Sequence, residues 1–195
     1  MNLPPPFENE KIYDSLNIKS LHGQTKDAMA KIQIGSWQYD VVEPGYKYNM
    51  TDIAAAMGLV ELERYDKDML IRRKHIFDLY TAAFQEHDWA ELPEFQTAEK
   101  SSSYHVYMLR IKGINEEKRN RMIQSIFARD VAVNVHFIPL PMMTYYRNAG
   151  YDIKSFPVSY NNFSREITLP VYYDLTDDMV ATIIKAVIDS VKENL

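Results

Sequence analysis

Cysteine is absent from the 195 residues, which excludes disulfides and thiolate metal sites and fits a cytoplasmic location. No apolar run reaches the length of about 18 residues that a membrane-spanning helix needs, and the N-terminus lacks the apolar core of a secretory leader. Lysine and arginine form no block and the net charge is −5, so neither nucleic acid nor a membrane surface is the expected partner. The six glycines are scattered and form neither a G-x-G-x-x-G motif nor a P-loop. No pair of histidines or carboxylates has metal-ligand spacing such as H-x-x-x-H, so no metal is expected. No serine or histidine is followed three residues later by a lysine. What remains is an ordinary globular composition, 46% apolar and 25% charged, with fourteen tyrosines. So many phenols belong half-buried, at interfaces or around a polar site.

The most informative stretch runs from Trp37 to Leu62. A Pro44-Gly45 turn delivers Tyr46-Lys47-Tyr48-Asn49 to the mouth of a helix. Thr51 is a good N-cap and Asp52 suits the positive end of the helix dipole. Ile53, Met57 and Val60 form one stripe, with Ala54 and Gly58 beside it. Glycine inside a helix costs about 1 kcal/mol against alanine, which predicts a close backbone neighbour at Gly58.

Upstream, Pro4-Pro5-Pro6 makes the segment up to Glu8 an extended strap. Asn9 caps a helix reaching Leu21, with Ile12, Leu16 and the stem of Lys19 on one face, and Gly23 ends it. Thr25 or Asp27 opens an amphipathic turn carrying Ala28, Met29 and Ile32; Trp37, Tyr39 and Val41 then alternate as extended chain. Downstream, Asp68 to His87 reads as a helix with Met69, Ile76, Tyr80, Ala83 and Phe84 inward. The break at Tyr65 to Asp68 is weak, so one long kinked helix is an alternative. Leu92 to Ser103 is a loop. Tyr104 to Ile111 is apolar on both faces, as for an inner strand. Asn115 caps a helix with Met122, Ile123, Ile126 and Phe127 buried. Val131 to Phe137 alternates as a half-buried strand ended by Pro139 and Pro141. Tyr145 to Tyr151 is a polar aromatic loop, and Glu166 to Leu169 a short strand closed by Pro170. Thr176 opens a last helix with Val180, Ile183, Ile184, Val187, Ile188 and Val191 on one stripe. His22 and His105 read as structural, the first near a helix end and the second on a buried strand. Glu61, Glu63 and Asp66 read as a solvated helix face.

Gly45-Tyr46-Lys47-Tyr48-Asn49-Met50-Thr51-Asp52-Ile53 before a small-residue helix resembles the DegT/DnrJ/EryC1/StrS sugar aminotransferases. Leu21-His22-Gly23, Ser102 to Tyr107, Val135 to Leu140, Tyr145-Tyr146-Arg147 and Leu169 to Tyr172 strengthen the resemblance, which covers nearly the whole chain but only the C-terminal half of the family. It implies an α+β fold: residues 1–67 as a remnant of the large cofactor-binding domain, including loop 45–50, and residues 68–195 as the small domain. That domain would have a mostly antiparallel sheet with helices on one face. The cofactor implied is pyridoxal phosphate, with a glutamate-type amino donor and a nucleotide-linked keto-sugar acceptor.

By the same resemblance, Asn49 contacts the cofactor phosphate across a dimer interface, with Lys47 and Tyr48 beside it; read from the residues alone, Asn49 only shapes the turn. His136, with Asn134, is implied at the sugar-nucleotide entrance; a surface histidine is the equal alternative. The lysine that bonds the cofactor aldehyde is expected in a Ser-x-His-x-x-Lys setting that this sequence lacks. The expectation is therefore a truncated or split enzyme, inactive alone, joined by a separate N-terminal half. A non-catalytic interaction module and a fragment of a related sugar dehydratase are the alternatives. Ile53, Met57 and Val60, left bare, predict a homodimer or swapped oligomer.

Overall fold

The computed structural model describes residues 10–25 and 40–195. The Pro-rich strap, the cap at Asn9, the turn carrying Ala28, Met29 and Ile32, and the Trp37–Tyr39 alternation lie outside the described residues. The chain divides into two units, Met1–Leu62 and Glu63–Leu195.

In the first unit, α1 (Glu10–Ser20) turns no residue fully inward, and Ile12 and Leu16 stay about half exposed. His22 and Gly23 end it with backbone φ of 59° and 73°, and the Gly23 N–H returns to the Ile18 carbonyl at 2.9 Å. Helix α2 (Asp52–Arg64) starts as expected, with Thr51 Oγ1 accepting from the Ala54 N–H at 3.4 Å. It buries no residue. The close neighbour predicted at Gly58 is missing: a Cβ built there meets nothing within 4 Å among the described residues.

The second unit carries the core. The weak break after α2 is a single π turn, Tyr65–Met69, leading into α3 (Leu70–Phe84). Helix α3 turns Ile76, Phe77, Tyr80 and Phe84 inward. Strand β1 (Ala90–Glu91) pairs antiparallel with β2 (Tyr107–Ile111), and β2 pairs antiparallel with β3 (Glu166–Leu169). The expected inner strand is thus the middle one, but apolar on one face only. Tyr107, Leu109 and Ile111 are buried, Met108 is 38% exposed, and His105 is exposed ahead of the strand. Tyr107 faces Leu169 and Leu109 faces Ile167, so one apolar face continues across both strands.

Helix α4 (Glu116–Phe127) is capped by Asn115, which accepts from the Lys118 N–H at 3.0 Å. Met122 and Ile126 are buried, Ile123 is half-buried, and Phe127 is 45% exposed rather than buried. Helix α5 (Thr144–Asn148) replaces the expected aromatic loop, and α6 (Pro157–Arg165) begins on a proline without a side-chain cap. Helix α7 (Asp177–Asn194), capped by Thr176, supplies Val180, Ile183, Ala186, Val187 and Val191 to the core. Each of the valines and the isoleucine contributes about 1.5–3 kcal/mol before entropy is subtracted. The buried phenols find partners: Tyr80 donates to the Pro170 carbonyl at 3.0 Å, and Tyr107 meets the Thr81 hydroxyl at 3.1 Å. Burial pushes the Tyr107 phenol up to about 12.

The predicted strand from Val131 to Phe137 is not formed. Val131 and Val133 are buried as its pattern required, but ladder pairing is limited to one bridge, Asn134 with Thr168. The next backbone donors turn to side chains. The Val135 N–H goes to Asn134 Oδ1 at 2.8 Å and the His136 N–H to Glu166 Oε2 at 3.1 Å. Phe137 then points outward, 75% exposed.

Candidate functional site

The residues expected to act fall into two groups, one in each unit. In the first unit, the loop from Tyr46 to Asn49 is fastened to the end of α1 by its backbone. The Tyr46 N–H donates to the Lys19 carbonyl at 2.7 Å; those of Tyr48 and Asn49 donate to the Ser20 carbonyl at 2.9 and 3.2 Å. In return the His22 N–H donates to the Tyr46 carbonyl at 2.9 Å. This close approach requires two glycines. A Cβ on Gly23 would lie 1.7 Å from the Glu43 carbonyl oxygen, and one on Gly45 2.2 Å from the Gly23 nitrogen.

With those three backbone donors used, the side chains of Lys47 and Asn49 are the loop's ammonium and amide donors for an anion. Lys47 Nζ donates to Asn49 Oδ1 at 2.6 Å. An ammonium can only donate, so this bond fixes the Asn49 amide with its oxygen toward Lys47 and its NH₂ free to donate elsewhere. Two ammonium protons and an amide NH₂ remain, a donor set that fits a phosphate. Tyr46 and Tyr48 stack with centroids 4.8 Å apart and planes 5° apart, and Tyr48 is 74% exposed.

In the second unit, Asn134 and His136 lie beside β3. Asn134 exchanges backbone bonds with Thr168, at 3.1 and 2.7 Å. His136 Nδ1 meets Thr168 Oγ1 at 2.9 Å, and the Thr168 hydroxyl in turn donates to Glu166 Oε1. Glu166 and Thr168, two residues apart on a strand, share the face opposite Ile167 and Leu169. Both are buried, at 4% exposure each. Burial pushes the Glu166 carboxyl above its usual range, opposed by the Thr168 hydroxyl and the His136 backbone N–H. The edge of Phe137 packs on the His136 ring, centroids 4.5 Å apart.

Sequence reading missed Glu166, Thr168 and Arg119. Arg119 is 2% exposed and donates to the carbonyls of Phe163 and Glu166 at 2.7 and 3.1 Å. A signal existed for each: polar residues at alternate positions of an otherwise apolar strand, and an arginine three residues before Met122 on its buried stripe.

A sequence profile of the DegT/DnrJ/EryC1/StrS aminotransferase family matches residues 7–188. The chain belongs to this family. Among curated family relatives, it is 37% identical over 192 residues to the spore coat polysaccharide biosynthesis protein SpsC of Bacillus subtilis, covering 95% of this chain and 48% of SpsC. It is 25% identical over 172 residues to a Campylobacter jejuni UDP-4-amino-4,6-dideoxy-N-acetyl-beta-L-altrosamine transaminase, covering 86% and 42%. Among solved structures it superposes on the Streptococcus pneumoniae protein Spr1654 in its PMP form, assigned as a sugar aminotransferase, with a TM-score of 0.88 and 43% identity. That match covers all of this chain and 48% of Spr1654. The chain therefore spans about half the length of the relatives it matches, and its α+β fold is that of their C-terminal portion.

Proposed function

We propose that this chain contributes the phosphate-side loop and the sugar-side segment of a pyridoxal-phosphate aminotransferase acting on nucleotide-linked keto-sugars. One geometric observation carries the reading. Lys47 and Asn49 are locked together on a loop fastened by the backbone N–H groups of Tyr46, Tyr48 and Asn49, and they present an ammonium and an amide NH₂ as a donor set that suits a phosphate. Pyridoxal phosphate, when bound, supplies an aldehyde and an electron-withdrawing ring that carry the amino group between substrates. This chain's part is to neutralise and orient the phosphate through Lys47 and Asn49, with Tyr48, stacked on Tyr46, between them in the loop. Asn134 and His136 border the path of the sugar nucleotide.

These residues hold no counterpart of the lysine that bonds the aldehyde, so the reaction needs the N-terminal half of the fold to complete the site. Helix α2 supports a partner of that kind: Ile53, Met57 and Val60, on one stripe, are exposed at 79%, 67% and 55%. In the assembled enzyme two such units pair, so that the phosphate loop of one serves the neighbouring site.

Co-expression with the N-terminal half of SpsC tests the reading. Together the two should retain pyridoxal phosphate and move an amino group from glutamate to a UDP-linked keto-sugar, and neither should do so alone. Lys47→Met and Asn49→Ala should each cut cofactor retention by about tenfold or more, the loss of a charge-assisted hydrogen bond. Borohydride fixation of a pyridoxyl group at one lysine of the isolated chain would overturn the proposal. A monodisperse monomer in solution scattering would overturn the dimer.

A further inference from the structure

The second unit holds a buried carboxylate linked through one threonine hydroxyl to a half-buried imidazole. Glu166 is met by a donor on each oxygen: the His136 backbone N–H on Oε2 and the Thr168 hydroxyl on Oε1. Burial pushes the carboxyl upward, and these two bonds oppose that shift as the partners an ionised carboxylate accepts from. A threonine hydroxyl has one proton, and here it goes to Glu166. Its remaining lone pairs face His136 Nδ1 at 2.9 Å, so Nδ1 has to be the donor.

We infer that the Glu166–Thr168 relay holds His136 as its Nδ1–H tautomer and presents Nε2, unprotonated, as the acceptor for a hydroxyl of the sugar-nucleotide ligand. This deepens the reading of His136 given above and rests on it for the ligand class; the tautomer itself rests on the hydrogen bonds alone. Among the described residues, none hydrogen-bonds Nε2. His136 is half-buried and braced by the edge of Phe137, so its free nitrogen is aimed rather than mobile. The arrangement follows a familiar logic in which the bond made by one ring nitrogen sets the chemistry of the other. Glu166 and Thr168 are positioning residues in this scheme; the group that touches ligand is His136.

The relay has a direction, which makes it testable by reversal. In Glu166→Gln the amide oxygen stays with the His136 N–H, since that group can only donate. The amide NH₂ then faces Thr168 and donates to its hydroxyl. The hydroxyl proton is pushed toward Nδ1, and the imidazole becomes the Nε2–H tautomer. Thr168→Val removes the relay altogether and releases the ring to the tautomer mixture of a solvated histidine. Thr168→Ser keeps the relay.

Long-range ¹H–¹⁵N correlation spectra of the full chain, at a pH of about 8.5 where an ordinary imidazole is neutral, read the tautomer directly. His136→Asn assigns the signal. The wild-type chain and Thr168→Ser should show a protonated-type Nδ1 and an unprotonated-type Nε2. Glu166→Gln should exchange the two, and Thr168→Val should average them. Addition of UDP-N-acetylglucosamine at millimolar concentration should move the wild-type Nε2 signal and leave Nδ1 in place. A protonated Nε2 in the wild-type chain overturns the relay, and the wild-type spectrum needs no variant to fold. An Nε2 signal unmoved by the probe overturns the acceptor role. These spectra need no catalysis, so a failed reconstitution of amino transfer leaves the tautomer result standing.

Discussion

The two units hold their shape by different means. Residues Glu63–Leu195 close around side chains: β2, β3, α3, α4 and α7 meet over Leu109, Ile167, Ile76, Met122 and Val187, all fully buried. The described part of Met1–Leu62 closes around backbone. Neither α1 nor α2 buries a residue there, and the order comes from main-chain bonds between the end of α1 and the loop from Glu43 to Asn49, with two glycines in contact. A side-chain core tolerates surface change and punishes lost volume. A backbone clamp tolerates most side chains and punishes an added Cβ. The second design suits a loop that must offer its side chains outward, since none of them is needed to hold it.

Removing volume from the core should have the largest effect. Leu109→Ala empties a fully buried position on the middle strand. It should lower the stability of the second unit by about 2–5 kcal/mol, seen as an earlier urea transition. Trp89, packed against this core, reports the transition by fluorescence. Gly23→Ala should come next. Its methyl group collides with a carbonyl oxygen at a position where φ is +73°. The expected cost is about 2 kcal/mol or more of local stability. Amide exchange at Tyr46, Tyr48 and Asn49 should speed up accordingly, while the fluorescence transition stays in place.

Much of this contrast could be read before the structure, and the exceptions have physical reasons. Helix α7 was legible because its apolar period holds across 18 residues behind a Thr176 cap. The turn at Pro44-Gly45 announced the loop from Tyr46 to Asn49, and Thr51 marked the helix that follows. The contact of Gly23 with Gly45 was not: each reads as a local turn, and nothing in a linear pattern says that two turns touch. The strand expected from Val131 to Phe137 failed because two side-chain oxygens, on Asn134 and Glu166, took the backbone donors a ladder needs. Helix α6 carries no cap and α5 has only five residues, so neither rises above a loop in sequence. Glu166 and Thr168 were hidden for another reason. Their strand was expected, but their buried face is polar, and a pattern search follows the apolar one.

A smaller effect separates the units by pH. Asp177, in the first turn of α7, bonds His75 Nε2 at 3.0 Å and Arg72 at 2.8 Å. These bonds, His75 first, hold its carboxyl below the ordinary value of 3.8. A depressed carboxylate stabilises the fold above its unfolded value and loses that contribution as pH falls through the folded one. Stability of the second unit should therefore decline on acidification below that ordinary value, and Asp177→Asn should flatten the decline. The group is solvent-exposed, so the difference should be modest and screened by salt. Urea midpoints across an acid series, at low and high ionic strength, measure it. Equal slopes for both proteins would remove Asp177 from the account.

The smallest effect on the isolated chain should accompany the sharpest effect on assembly. Met57 is 67% exposed on α2, so Met57→Ser should change stability by no more than about 0.5 kcal/mol in either direction. If the α2 stripe is where the N-terminal half of the enzyme docks, the same substitution removes apolar area from the centre of that contact. Capture of the chain by the co-expressed N-terminal half should then fall by about tenfold or more, in the range of a single interface anchor. Leu109→Ala is the converse control, costly to the fold and remote from the stripe in sequence. A Met57→Ser chain that unfolds would mean that α2 is already packed on its own molecule. One that folds and is captured normally would place the docking surface elsewhere. Only stable folding with lost capture fits a helix that is apolar for the sake of a partner.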